Sequence, residues 1–223
     1  MNILNLDDLQ YIIRYPENYR EGEKYPVILF LHGAGTRGTD IEVLKKNAFF
    51  GLTAEHADFP FVTVAPQCHS ETWFDHFETL KRLVADIQAS EFADPNRLYV
   101  IGASMGGYAT WQLTMSMPEM FAAAVPICGG GMYWDAGRLK HVPIWAFHGD
   151  SDKTVLTEES VKMVNAVNKK GGDAKLTIYP ETGHDAWTAT YKNADVFAWM
   201  LSHTRWQANT ETDSGFADAK RFG

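Results

Sequence analysis

The chain has 223 residues, 45% hydrophobic and 22% charged, with a formal net charge of −8. That is enough chain for one domain with a sizeable core. The acidic balance argues against a nucleic-acid partner, which calls for clustered Lys and Arg, and no apolar run approaches the length that crosses a bilayer. Residues 1–8 carry neither a basic n-region nor an apolar h-region, so no secretory signal is read and a cytoplasmic protein is the expectation; an excised domain or the mature form of a secreted protein would read the same.

The segment from Leu9 to Tyr15 alternates loosely and stops at Pro16, which predicts a first strand. The run from Tyr25 to Leu31 is almost unbroken in apolar residues, the pattern of a parallel strand covered on both faces. It delivers His32-Gly-Ala-Gly35 at its C-terminal end, where ligands gather in open α/β sheets. Residues 36–51 read as a polar loop leading into a short helix. A second buried strand from Phe61 to Pro66 follows, with Gln67, Cys68, His69 and Trp73 after it. Asp75 and Glu78 are spaced as a capping box, and Leu80, Leu83, Val84 and Ile87 recur at helical spacing. Asp94-Pro-Asn96 ends that helix.

Leu98, Val100 and Ile101 then run into Gly102-Ala-Ser-Met-Gly106, and Tyr108 to Met117 continues as a helix up to Pro118. Strand, glycine-flanked serine, helix is the context of a nucleophile elbow, in which the serine is exposed on a strained turn and the glycines remove clashing Cβ atoms. Further apolar strands are predicted from Phe121 to Ile127, from Pro143 to His148 and from Leu176 to Tyr179. A helix from Thr157 to Lys170 has acidic residues in its first turn and Gly171-Gly172 as its stop. A last helix contains Val196, Phe197, Met200 and Leu201, and the polar tail from Gln207 is expected to be loosely ordered. Strands and helices alternating over residues 25–203 predict a single domain over residues 1–206, a doubly wound, mostly parallel sheet with helices on both faces.

A nucleophilic Ser104 requires a base and an acid to orient it, at the C-terminal ends of later strands. His184 follows the last strand as the base. Asp150 and Asp152 both follow the strand ending at His148, and spacing leaves both open as the acid. Serine, acid, histidine is the chain order of the α/β-hydrolase fold. An oxyanion needs two N–H donors: the backbone of Met105, the residue after the serine, and that of Ala34 in the loop after the first buried strand.

The stretches Phe30–Gly35, Ala65–Cys68, Gly102–Trp111, Val125–Gly131, Pro143–Gly149 and Gly183–Trp187 resemble the compact α/β-hydrolases grouped as phospholipase/carboxylesterase-like enzymes, often labelled predicted peptidases. The resemblance spans roughly residues 9–203. It implies Asp152 as the triad acid and Asp150 as a supporting loop residue, and it implies a serine esterase acting on small acyl esters, similar to feruloyl or acetyl-xylan esterases, with no cofactor. The connection between Cys128 and Pro143 is too short for a cap domain, so an open, shallow pocket is expected. Trp73, Trp134 and Trp187, with Phe74 and Tyr133, fall near strand ends and are its candidate lining. Short-chain or aromatic acyl esters, including sugar-linked ones, suit such a cleft.

Cys68 and Cys128 lack any C-x-x-C or repeated Cys/His spacing, which argues against a zinc site. In the usual strand order of this fold two strands separate them, roughly 14 Å, so two free thiols are expected. Neither G-x-G-x-x-G nor G-x-x-x-x-G-K-[ST] occurs, which disfavours a nucleotide-binding module. A serine peptidase and a non-catalytic hydrolase-fold binding protein are the remaining alternatives.

Overall fold

A computed structural model describes residues 1–207; the tail expected from Gln207 therefore lies, from residue 208, outside the described residues. The chain opens with an antiparallel hairpin, β1 (Asn2–Leu6) and β2 (Leu9–Arg14). It continues through β3 (Tyr25–Leu31), the short helices α1 (Ile41–Lys45) and α2 (Ala48–Ala54), β4 (Val62–Pro66) and α3 (Phe77–Ala89). Then come β5 (Ala93–Ala103), α4 (Met105–Ser116), β6 (Ala123–Ile127) and β7 (Ile144–Gly149). The described part closes with α5 (Thr157–Lys169), β8 (Ala174–Tyr179), α6 (Trp187–Lys192) and α7 (Ala194–Leu201).

Among the described residues eight strands form one sheet in the order β1-β2-β4-β3-β5-β6-β7-β8. The pairs from β4 through β8 are parallel, and only those involving β2 are antiparallel. Successive residues of a strand face opposite sides, and the central strands bury both. Val27, Leu29 and Leu31 enter one apolar cluster with residues of α3, α4 and α5, while Ile28 and Phe30 enter another with residues of α2, α6 and α7. Each such side chain, fully enclosed, contributes about 1.5–3 kcal/mol. The order of strands reverses at β3, whose neighbours are β4 on one side and β5 on the other. The chain ends of β3 and β5 therefore flank the crevice of this doubly wound sheet.

Three local readings change. The first strand is β1, not β2: its residues are exposed along an edge, so they carry no burial pattern, and Asp7 at φ 52° turns the chain into β2. The capping box joins Thr72 and Asp75, not Asp75 and Glu78, because a 3-10 turn of Trp73–His76 precedes α3. Asp94-Pro-Asn96 lies inside β5 instead of before it, at a register irregularity opposite Tyr25 and Val27 that accommodates the proline. Between β6 and β7 the chain makes only one 3-10 turn, Tyr133–Leu139, with no cap.

Candidate active site

Ser104 sits between β5 and α4 at φ 56° and ψ −118°, outside the regions that L residues favour. The crowding beneath it accounts for the glycines. A Cβ on Gly106 would fall onto the Leu31 carbonyl, and one on Gly102 onto Gly106, so β5, α4 and β3 close together only because these positions are bare. The Ser104 N–H donates to the Ile127 carbonyl at 2.9 Å, which ties the turn to β6.

The His184 ring meets the serine from the loop after β8, with Nε2 2.8 Å from Ser104 Oγ and Nδ1 2.7 Å from Asp152 Oδ2. Asp152 Oδ1 accepts the N–H groups of Thr154 and Val155 at 2.8 and 3.0 Å. Burial pushes the Asp152 carboxyl upward, but the hydrogen bonds from His184 and the two backbone amides outweigh it and hold the group below its ordinary value. It stays ionised beside the imidazole. Asp150, two residues earlier, is exposed and accepts from the Ser151 hydroxyl at 2.7 Å. The structure thus brings Asp152, and not Asp150, onto His184.

The two expected N–H donors lie at the ends of β5 and β3. Met105 is the first residue of α4, where helix amides lack an intrahelical partner. At the end of β3, His32 Nε2 accepts the Cys68 N–H at 3.0 Å, so its ring hydrogen is on Nδ1, which donates to the Gly33 carbonyl at 2.7 Å. That carbonyl also receives the Thr36 N–H. A trans peptide points its C=O and N–H in opposite directions, so the Ala34 N–H faces away from His32. Ala34 lines, with Ser104, His184, Trp187, Asn47 and Tyr191, a cavity of about 360 Å³.

Of the three tryptophans expected to line a pocket, only Trp187 does so, edge-on to His184 at 5.4 Å between ring centroids. Trp73 is fully buried: the capping box turns it inward, its indole N–H donates to the His32 carbonyl at 2.9 Å, and it supports the Ala34 loop from behind. Trp134 is 68% exposed, because its 3-10 turn buries the Ala136 and Leu139 side instead. Phe74 borders a separate cavity, with Phe77, Tyr108 and Met132, that Ser104 does not line.

Sequence reasoning missed His148. Buried His148 places Nε2 3.2 Å from Asp152 Oδ2 and 2.9 Å from the Val155 carbonyl, with Nδ1 2.7 Å from Ser160 Oγ, so it braces the acid from behind. Its position inside an apolar strand end was the only signal. Cys128 follows β6 at φ 38° and offers its thiol within 4.8 Å of Asp152 and His184 ligand atoms. Burial pushes that thiol up to about 12, and a protonated thiol is a poor nucleophile or metal ligand. Asp152 and His184 already spend their atoms on each other and on Ser104. Asp8, His69 and His76 also gather within 4.8 Å at the sheet edge. Both cysteines are free, and among the described residues no helix is long and apolar enough to cross a membrane.

A serine at a strained strand–helix turn, backed by histidine and aspartate from later strand ends of a doubly wound sheet, places the chain among the α/β-hydrolases. Residues 15–211 match the dienelactone hydrolase family, and the chain belongs to it. A solved structure of a thermostable esterase superposes with a TM-score of 0.82 at 30% identity, covering 92% of this chain and 62% of that one. Probable feruloyl esterase C of Aspergillus terreus is 22% identical over 76% of this chain and 64% of its own length. Dipeptidyl-peptidase 5 of Porphyromonas gingivalis is 22% identical over 82% of this chain but only 33% of its own. The chain thus spans about a third of that peptidase and just under two thirds of the two esterases.

Proposed function

We propose that the chain is a serine carboxylesterase that hydrolyses short-chain or aromatic acyl esters, including sugar-linked ones, through an acyl-enzyme. The observation that carries this reading is the unbroken line from Ser104 Oγ through His184 to Asp152, 2.8 and 2.7 Å. His184 Nε2 takes the Ser104 proton as Oγ attacks the ester carbonyl, and Asp152 stabilises the imidazolium. The Met105 and Ala34 N–H groups receive the developing oxyanion, for which each donor is worth roughly 10²–10³ in rate. His184 then protonates the departing alcohol, and water, activated by the same ring, releases the acid.

Ser104→Ala is expected to abolish hydrolysis of p-nitrophenyl acetate while leaving the circular dichroism and melting transition intact; turnover retained in that variant would overturn the assignment. The likeness to dipeptidyl-peptidases supports a serine peptidase as the second reading. A panel of acetyl, butyryl and feruloyl esters set against a small peptide amide separates the two, and reaction of Ser104 with a fluorophosphonate separates both from a non-catalytic binding protein.

A further inference from the structure

Three metal-ligating side chains meet at the edge of the sheet, and none of them lines the cavity of Ser104. Asp8 lies in the turn between β1 and β2, His69 follows β4, and His76 is the last residue of the 3-10 turn ahead of α3. Each offers one ligand atom, and the three atoms lie within 4.8 Å of one another. His69 Nε2 and Asp8 Oδ2 are 3.1 Å apart, and the His69 and His76 rings stand edge to face with centroids 4.3 Å apart. Ligand atoms held about 2.0–2.1 Å from one zinc ion at tetrahedral angles are about 3.3–3.4 Å from each other. The solvent-accessible side chains of Asp8 and His69 therefore reach that spacing by shifts of about 1 Å.

His76 sets this cluster apart from a surface histidine–aspartate pair. It is only 5% exposed, and its enclosed Nε2 has no hydrogen-bond partner among the described residues. Burying an imidazole without a partner is unfavourable, and a bound cation gives the ring one. We propose that Asp8, His69 and His76 hold a zinc ion that clips the edge hairpin to the segment after β4. Two imidazoles and one carboxylate suit zinc, whereas magnesium and calcium take oxygen ligands, and the fourth position is left to water. As an ionised acceptor, Asp8 receives its hydrogen bond from His69 Nε2–H; on binding that hydrogen moves to Nδ1 and Nε2 takes the metal. The segment so anchored carries Trp73, whose indole backs the Ala34 loop through the His32 carbonyl. None of the three ligands is a cysteine, and the set comes from three separate segments, so the sequence carries no local zinc motif for it.

Calorimetric titration of the EDTA-stripped full chain with zinc chloride tests this. One ion per chain is expected to bind, and zinc at about a hundredfold over its dissociation constant is expected to raise the melting temperature by about 5 °C. Asp8→Asn, His69→Gln and His76→Gln are each expected to weaken binding at least tenfold and to remove most of the melting shift. Asp8→Asn changes an exposed side chain, so it decides the matter even if His76→Gln fails to fold. His184→Gln is expected to leave both readouts unchanged, since the triad is a separate site. Binding lost in His184→Gln and kept in Asp8→Asn would put the ion on the triad and overturn the proposal. Equal binding in wild type and a folded His76→Gln would reduce the site to an exposed histidine–aspartate pair and overturn it as well, as would binding with no change in the melting temperature.

Discussion

Acidification from pH 7 to pH 5 is expected to weaken the fold through His32. The ring is fully buried, its Nε2 must accept the Cys68 N–H, and its Nδ1–H holds the Gly33 carbonyl. Protonation would turn Nε2 into a donor facing a donor. Burial accordingly lowers the His32 pKa from 6.5 to about 4. Between those values the unfolded chain binds more protons than the folded one, so the contribution is complete above 6.5 and is lost as pH falls toward 4. The full shift corresponds to about 3 kcal/mol, of which about 2 kcal/mol falls between pH 7 and pH 5. Urea unfolding followed by tryptophan fluorescence, on wild type and on His32→Gln, measures it. The glutamine amide keeps a donor and an acceptor but does not titrate, so wild type is expected to lose about 2 kcal/mol more than the variant over that interval. Equal losses in the two proteins would refute the reasoning, since every other titrating group is shared.

Other perturbations separate chemistry from scaffold. Asp152→Asn is expected to lower kcat by about 10⁴-fold, as loss of a triad acid does, and Asp150→Asn by less than about twofold; the reverse result in a steady-state assay would exchange their roles. Trp73→Phe removes the indole N–H from the buried His32 carbonyl, at a cost of about 1–3 kcal/mol. It should lower kcat more than it raises KM, because the Ala34 loop loses its backing; an unchanged kcat would separate that loop from the chemistry. Gly106→Ala pushes a Cβ into the Leu31 backbone and is expected to depress the melting temperature by several degrees, whereas Gly183→Ala, with nothing within 4 Å of an added Cβ, should not. Calorimetry of the pair checks both.

Much of the architecture was legible because buried parallel strands announce themselves as continuous apolar runs: β3, β4 and β6 fall within the predicted stretches, and β7 overruns its own by one residue, Gly149. The edge strand β1 was not, since an exposed strand has no face to bury and its residues follow no period. Ser104, His184 and the Ala34 loop were legible as well, because the fold sets them at strand ends in a given order. The tryptophans were not. Proximity to a strand end says nothing about direction, and the Thr72–Asp75 capping box turned Trp73 into the core while a 3-10 turn turned Trp134 into solvent.

The chain by itself therefore determined the elements and the residue types of the candidate site, through local patterns of apolarity, glycine and chain order. Only the tertiary structure decided that Asp152 reaches His184 while Asp150 does not, that His148 braces it, and that Ser104 opens onto a cavity shared with His184, Ala34 and Trp187. The contacts of His184 with Asp152 and with Ser104 join residues 32 and 80 positions apart. Their physical cause is the parallel pairing of β5 through β8, which sets the C-terminal ends of these strands along one edge of the sheet, and no local period in the sequence encodes it.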